Sequence, residues 1–173
     1  MKGMQKIKRG SGFAGVLSYA MEEIEGIPRG RVVGGNLSAL DEQSLAKEFG
    51  ISRRLRPDVE KPVWHNSLRL PKGEKLPDGQ WEKIGDDYME RMGFSDTHQR
   101  VYIMHDDEDG QHIHIIASRI GLDSTLYLGK NENLKSTKII QRLEKVYDLT
   151  LTKGPEYQDG KIVMPDQKRP TDG

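Results

Sequence analysis

The sequence predicts an α+β fold: a central antiparallel β-sheet with helices packed on its faces. Three observations lead there. Strand-like and helix-like segments alternate along the chain. Two apolar strand segments, residues 100–105 and 112–120, flank a turn of Asp, Glu and Gly, so they form a hairpin, and hairpin strands pair antiparallel. The remaining apolar residues recur at helical spacing, and such helices bury their stripes against a sheet.

The elements follow in order. Residues 4–8 read as a short strand. From 12 to 23, Phe13, Val16, Leu17 and Ala20, with Ile24, recur at helical spacing. Pro28 lies in a loop over 26–30, and 31–37 is a strand. Asp41 is an N-cap for a helix reaching about Phe49, and the basic stretch around Arg54 is stopped by Pro57. Residues 62–70 alternate as a strand, and 71–78 form a loop. Asp78 caps a helix to about Met92, and Gly93 stops it. After the hairpin comes a helix over 133–147. The chain then turns polar, with Gly160, Pro165 and Pro170. The expected organisation is a domain over 1–152 and a flexible polar tail over 153–173.

Composition narrows the chemistry. A length of 173 residues suits one domain with a tail. Hydrophobic residues are 34% and charged residues 31%, a polar balance whose apolar part is gathered into periodic segments. The absence of cysteine excludes disulfides, thiolate metal sites and a thiol nucleophile, so a metal here needs His, Asp or Glu. No apolar run approaches the roughly 20 residues of a membrane span, and no signal-peptide pattern is present. A cytoplasmic protein without membrane insertion is expected. Formal net charge is zero, from 27 basic and 27 acidic side chains. That runs against the usual excess of basic groups in DNA-binding domains, but distribution matters more than the sum. Lys2, Lys6, Lys8 and Arg9 crowd one segment, Arg29 and Arg31 follow, then Arg53, Arg54 and Arg56. Asp106, Asp107, Glu108 and Asp109 form an acidic cluster. Any one of these clusters is equally compatible with ordinary solvated surface.

The segment from His105 to His114 carries the chemistry. His112 and His114 stand two apart on a strand and share a face, while Ile113, Ile115 and Ala117 take the other. A turn centred between Glu108 and Asp109 sets His105 opposite His112, with His114 as its diagonal neighbour. Three imidazoles then converge. Three His ligands with an open position is how a protein holds a divalent metal for chemistry. Imidazole suits Zn, Mn, Fe, Co or Ni. Such a metal would polarise a non-bridging oxygen of a phosphate substrate. Asp107 is placed to accept a ring N–H and fix a tautomer. A lone histidine would read as structural; three of the five in the chain, within one hairpin, favour a metal site. His98 reads as structural.

Six tyrosines are available as nucleophiles. At about 100° per residue, Tyr19 falls off the apolar face of the first helix. Tyr147 shares a stripe with Ile139, Leu143 and Val146, and Tyr88 one with Trp81, Ile84 and Met92, so both read as core. Tyr102 lies on the strand face opposite His105. Tyr127 and Tyr157 lie in segments of uncertain structure. A phenol is a weak nucleophile until activated, with a pKa near 10. From position alone, Tyr19 fits a surface aromatic as well as a nucleophile.

The pattern His105, Asp107, His112, His114 resembles that of the HUH endonucleases, and more specifically the MOB-P-like relaxases of conjugation and plasmid mobilisation. Phe13-Ala14-Gly15-Val16-Leu17-Ser18-Tyr19 is similar to their first motif. Trp64-His65-Asn66-Ser67-Leu68-Arg69-Leu70, with Gly73-Glu74 and the helix containing Trp81, is similar to the second. The third continues to Ser118-Arg119-Ile120. The three motifs stand in the family's order over roughly residues 1–150. Rolling-circle initiators place the tyrosine after the histidines, where Tyr147 is the candidate and reads as buried.

The resemblance implies a bacterial, metal-dependent DNA nickase and strand transferase acting on single-stranded DNA at the nick site of a transfer origin. Tyr19 would attack a phosphate beside a metal held by His105, His112 and His114, giving a 5′-phosphotyrosine and a free 3′-hydroxyl, reversible by religation. Asp107 would orient a ligand imidazole. Ser67, His65, Lys6, Lys8, Arg9 and Arg119 are candidate DNA or support contacts. The implied cofactor is Mn²⁺ or Mg²⁺, with Zn²⁺, Co²⁺ and Ni²⁺ also compatible. Implied partners are accessory transfer-origin proteins and a type IV secretion coupling protein. Relaxases usually carry long C-terminal regions, so a piece of a longer chain or a short stand-alone form is expected. The alternatives are a metal-dependent nuclease with no covalent step, a replication-initiator-like HUH protein, and a non-catalytic DNA-binding module on the same fold.

Overall fold

The computed structural model describes residues 1–4 and 7–151, together with the backbone of 156–158 and 161–163. Lys6 and most of the tail expected over 153–173 lie outside the described residues. The centre is an antiparallel sheet of six strands among the described residues. β1 (Lys2–Gly3) and β2 (Lys8–Gly10) both pair with β6 (Val63–Arg69) along one edge. The order continues through β8 (Gly110–Gly121) and β7 (His98–Asp107) to β5 (Gly30–Gly35). A small hairpin, β3 (Glu23–Ile24) with β4 (Ile27–Pro28), stands apart from this sheet. The short strands β9 (Glu156–Gln158) and β10 (Lys161–Val163) pair with each other.

Side chains alternate along each strand, so the sheet separates two apolar layers. One gathers Val63, Val101, Ile103 and Ile116 under α1 (Phe13–Ala20) and α2 (Glu42–Leu55), with Phe13, Leu17, Ala20, Leu45 and Phe49. Phe13 stacks on Phe49, ring centroids 4.4 Å apart, which joins the two helices. The other, larger layer gathers Trp64, Leu68, Tyr102, Ile113, Ile115 and Ala117 with α3 (Asp78–Met92) and α4 (Glu132–Val146). Helices thus cover both faces, as the sequence predicts. Among the described residues no helix is long and apolar enough to cross a membrane.

Several boundaries differ from the sequence reading for local reasons. The first helix ends at Ala20, not near Glu23, because the chain reverses through β3 and β4. Glu25 and Gly26 both take positive φ, the backbone of a tight two-residue hairpin turn. Ile24 is therefore exposed at that hairpin, outside the helical stripe. α2 is capped as expected: the Asp41 carboxylate accepts from Ser44 N at 3.0 Å, which holds its pKa below the usual carboxylate value. Gly50 does not break α2, which runs on to Leu55 and ends before Pro57. α3 is capped at Pro77, and Asp78 is its first helical residue, paired with Arg31 at 2.7 Å. Gly93 stops α3 with φ 104°. In place of one strand over 4–8, two short strands flank a break in the edge pairing. Val146 is exposed and Tyr147 only partly buried, so the last turn of α4 lies at the rim of the core.

Gly30 lets α1 approach the sheet. A Cβ there would stand 2.6 Å from the Ala20 carbonyl oxygen, 2.6 Å from Ile103 and 2.7 Å from His105. Gly30→Ala should destabilise the fold by about 1–3 kcal/mol through overpacking. Gly15→Ala, on the open side of α1 with nothing within 4 Å, should stabilise it by about 0.5–1 kcal/mol through helix propensity. Urea midpoints at unchanged m-value check both.

Candidate functional site

The β7–β8 hairpin brings the three histidines together. His105 pairs with His112, and Asp107 with Gly110, leaving Glu108 and Asp109 as the turn. This is the register the sequence predicts. All three rings are buried, with centroids 5.1 Å (His105 to His112), 4.4 Å (His105 to His114) and 5.0 Å (His112 to His114) apart. One nitrogen from each lies within 4.8 Å of the other two.

Each ring is held through its other nitrogen. His105 donates from Nε2 to the Ala20 carbonyl at 2.7 Å, which leaves Nδ1 as the lone-pair atom. His112 donates from Nδ1 to the Gly110 carbonyl at 3.0 Å, which leaves Nε2. His114 Nδ1 lies 2.9 Å from His65 Nε2. When His114 donates in that bond, its Nε2 carries the lone pair. His105 Nδ1 and His114 Nε2 are buried without a hydrogen-bond partner. Leaving such atoms unpaired costs about 1–3 kcal/mol each. A cation between the rings removes that cost, so the residues fit a divalent metal bound by imidazole.

Electrostatics point the same way. Burial depresses every ring, with neighbouring positive groups adding to it. His114 falls to about 2, through desolvation and then His105, His65, His112 and Arg29. His65 falls to about 4, through desolvation, Lys8 and His105. His105 and His112 are also lowered, desolvation first. The cluster is neutral near pH 7, the state in which imidazole binds a metal.

Tyr19 stands at the mouth of this cluster. Its residue is 47% exposed, and its ring meets His114 edge-on at 5.8 Å between centroids. Among the described residues its hydroxyl has no hydrogen-bond partner. The next residue, Ala20, supplies the carbonyl that holds His105, so the end of α1 fixes tyrosine and imidazole together. Four other tyrosines are placed elsewhere. Tyr88 and Tyr102 are buried in the opposite layer, where desolvation raises both pKa values. Tyr127 packs against Phe94, and Tyr147 donates to Asp87 at 3.1 Å.

The remaining predicted residues divide. Ser67 is half-buried and pairs across the strands with His114, on the same face. Lys8 pairs with His65. Asp107 does not reach a ring: its half-exposed carboxylate meets Arg69 at 3.4 Å, and Ala20, Gly110 and His65 orient the imidazoles instead. Arg119 is turned inward. Its buried guanidinium donates to the carbonyls of Tyr127, at 3.1 Å, and Lys61, at 2.8 Å. Arg9 is engaged with Glu132 at 3.1 Å and the Leu128 carbonyl at 2.9 Å. His98 is bonded to the Ser118 carbonyl at 2.9 Å, away from the cluster. Sequence reasoning gave no role to the two carbonyls, which carry no residue signature.

Fold and site together define a class: an antiparallel sheet with a three-imidazole cluster on one face and a tyrosine above it. The chain belongs to the relaxase family. It matches the family model described as MobA/VirD2-like, nuclease domain, over residues 19–149, a span that opens on Tyr19 and contains the whole hairpin. The family nicks DNA and binds it as a single strand. No curated protein and no solved structure matches the chain.

The depressed histidines set a pH dependence. The unfolded chain takes up protons from about pH 6.5, while the folded cluster resists them. Stability is therefore whole above about pH 6.5 and falls as pH drops towards the folded values. In chelator-treated protein the urea midpoint should be lower at pH 5 than at pH 7. His65→Gln and His114→Gln should each flatten that dependence.

Proposed function

We propose that this chain nicks single-stranded DNA at a transfer origin by transesterification through Tyr19. The observation that carries the reading is the exposed Tyr19 ring standing edge-on to His114 at the rim of three converging imidazoles. His105 through Nδ1, and His112 and His114 through Nε2, would hold a divalent cation; Mn²⁺ or Mg²⁺ is the ion the family resemblance implies, and the imidazole donors by themselves favour Zn²⁺, Co²⁺ or Ni²⁺ over Mg²⁺. When bound, that ion supplies Lewis-acid polarisation of a non-bridging phosphate oxygen.

The chain's own groups do the rest. Tyr19 Oη attacks phosphorus, the Oη–P bond forms and the P–O3′ bond breaks. The phenolic proton leaves to solvent, and the displaced 3′-oxygen takes one up. The product is a 5′-phosphotyrosine with a free 3′-hydroxyl, and attack by that hydroxyl rejoins the strand. His65 fixes the ring of His114, a support that commonly governs metal affinity. Asp107 acts through its charge, which favours a cation beside His105 and His112. Ser67 and Lys8 would contact the backbone of the bound strand, a role supported by their cross-strand pairing with His114 and His65. On this reading the nicking unit is residues 1–152, and it works in the bacterial cytoplasm with accessory origin proteins and a type IV secretion coupling protein.

The test is covalent capture from a labelled single-stranded oligonucleotide library with Mn²⁺, read on a denaturing protein gel. Wild type should give a shifted protein–DNA band, lost on chelation and in Tyr19→Phe. Cleavage that persists in Tyr19→Phe with no covalent band would instead establish metal-dependent hydrolysis without a protein–DNA intermediate.

A further inference from the structure

Arg29 stands between β4 and β5, and its backbone is fixed on both sides. Its N–H donates to the Glu22 carbonyl at 2.7 Å, and the next residue, Gly30, pairs with His105. Its guanidinium carbon lies 5.1 Å from the centroid of the Tyr19 ring, in a cation–π stack. That ring in turn meets His114 edge-on at 5.8 Å, so the guanidinium is stacked on a phenol at the rim of the imidazole cluster. Arg9, Arg31, Arg56, Arg69 and Arg91 each pair with a carboxylate. Among the described residues Arg29 has no such partner. A half-buried arginine without a carboxylate partner, stacked on the candidate nucleophile, has the chemistry of a phosphate receptor. Its planar fork matches two oxygens of one phosphate.

The geometry points to Arg29 as a catalytic residue whose guanidinium binds the non-bridging oxygens of the scissile phosphate and stabilises the charge that builds during attack. The assignment rests on the covalent reading of Tyr19. The same side chain, stacked on the phenol ring, holds the nucleophile beside the phosphate it receives. The β3–β4 hairpin is then part of the active site, since it carries Arg29 to Tyr19.

Single-turnover adduct formation tests this, using the labelled single strand that wild type captures, at saturating protein and Mn²⁺. Arg29→Ala should slow adduct formation about 100-fold, the loss typical of removing one preorganised charge stabiliser. Strand affinity should fall far less than the rate does, by no more than a few-fold between Tyr19→Phe and the Tyr19→Phe, Arg29→Ala double variant. Arg29→Lys should keep part of the rate, and added guanidinium should restore part of it to Arg29→Ala, which a merely structural role would not produce. Arg31→Ala, two residues on, should run at the wild-type rate. A wild-type rate in Arg29→Ala overturns the assignment. So does a loss confined to strand affinity, or one that neither lysine nor guanidinium relieves. If wild type itself forms no adduct, the covalent reading fails first and the role of Arg29 falls with it.

Discussion

The pairing of His105 with His112 across the turn of Glu108 and Asp109 is the constraint on which the site depends. A slip of one residue would turn His112 and His114 into the layer of Ile113 and Ile115 and carry those isoleucines to the site. The hairpin is pinned against that slip at two points. On the α3 side, Gln111 Oε1 accepts from Leu76 N at 2.7 Å and from the Trp81 indole at 2.8 Å. At the turn, Gly110 takes φ +124°, and a Cβ there would lie 2.4 Å from the Leu70 carbonyl oxygen. With Gln111 committed to one layer, His112 is committed to the other.

A second link joins the hairpin to α1. The Ala20 carbonyl receives the N–H of His105, and Gly30 leaves room for that approach. One hydrogen bond therefore sets the tautomer of a metal-competent imidazole and the position of the neighbouring tyrosine. The site joins the end of α1 and the nearby start of β5 to the central hairpin, which lies far along the chain. Burial keeps four close imidazoles neutral, and two of their nitrogens are left without a protein partner. That arrangement is costly for the bare chain and favourable for a cation.

What could be read from the sequence was what period and turn chemistry determine. Strand alternation and a short polar turn placed His105, His112 and His114 on one face. The helical stripe of Phe13, Leu17 and Ala20 put Tyr19 outside the core, and Asp41 marked the start of α2. Tertiary contacts were not legible. Asp107 is next to the turn and looked like a tautomer anchor, but main-chain carbonyls from Ala20 and Gly110 do that work, and a carbonyl has no letter in a sequence. Arg119 ends a motif and looked like a phosphate contact, yet it is turned inward to the Lys61 and Tyr127 carbonyls. Arg29 was one of many basic residues until the β3–β4 hairpin set it over Tyr19. Its only sequence signal was a place just ahead of a predicted strand.

The central claim is that three imidazoles, each fixed through its other nitrogen, form one cation site beneath Tyr19. Anomalous diffraction from crystals grown with Mn²⁺ tests it most directly. The account predicts a single strong peak bounded by His105 Nδ1, His112 Nε2 and His114 Nε2, on the side facing Tyr19. A peak elsewhere on the chain, or one touching His105 through Nε2 with its bond to Ala20 broken, would contradict it.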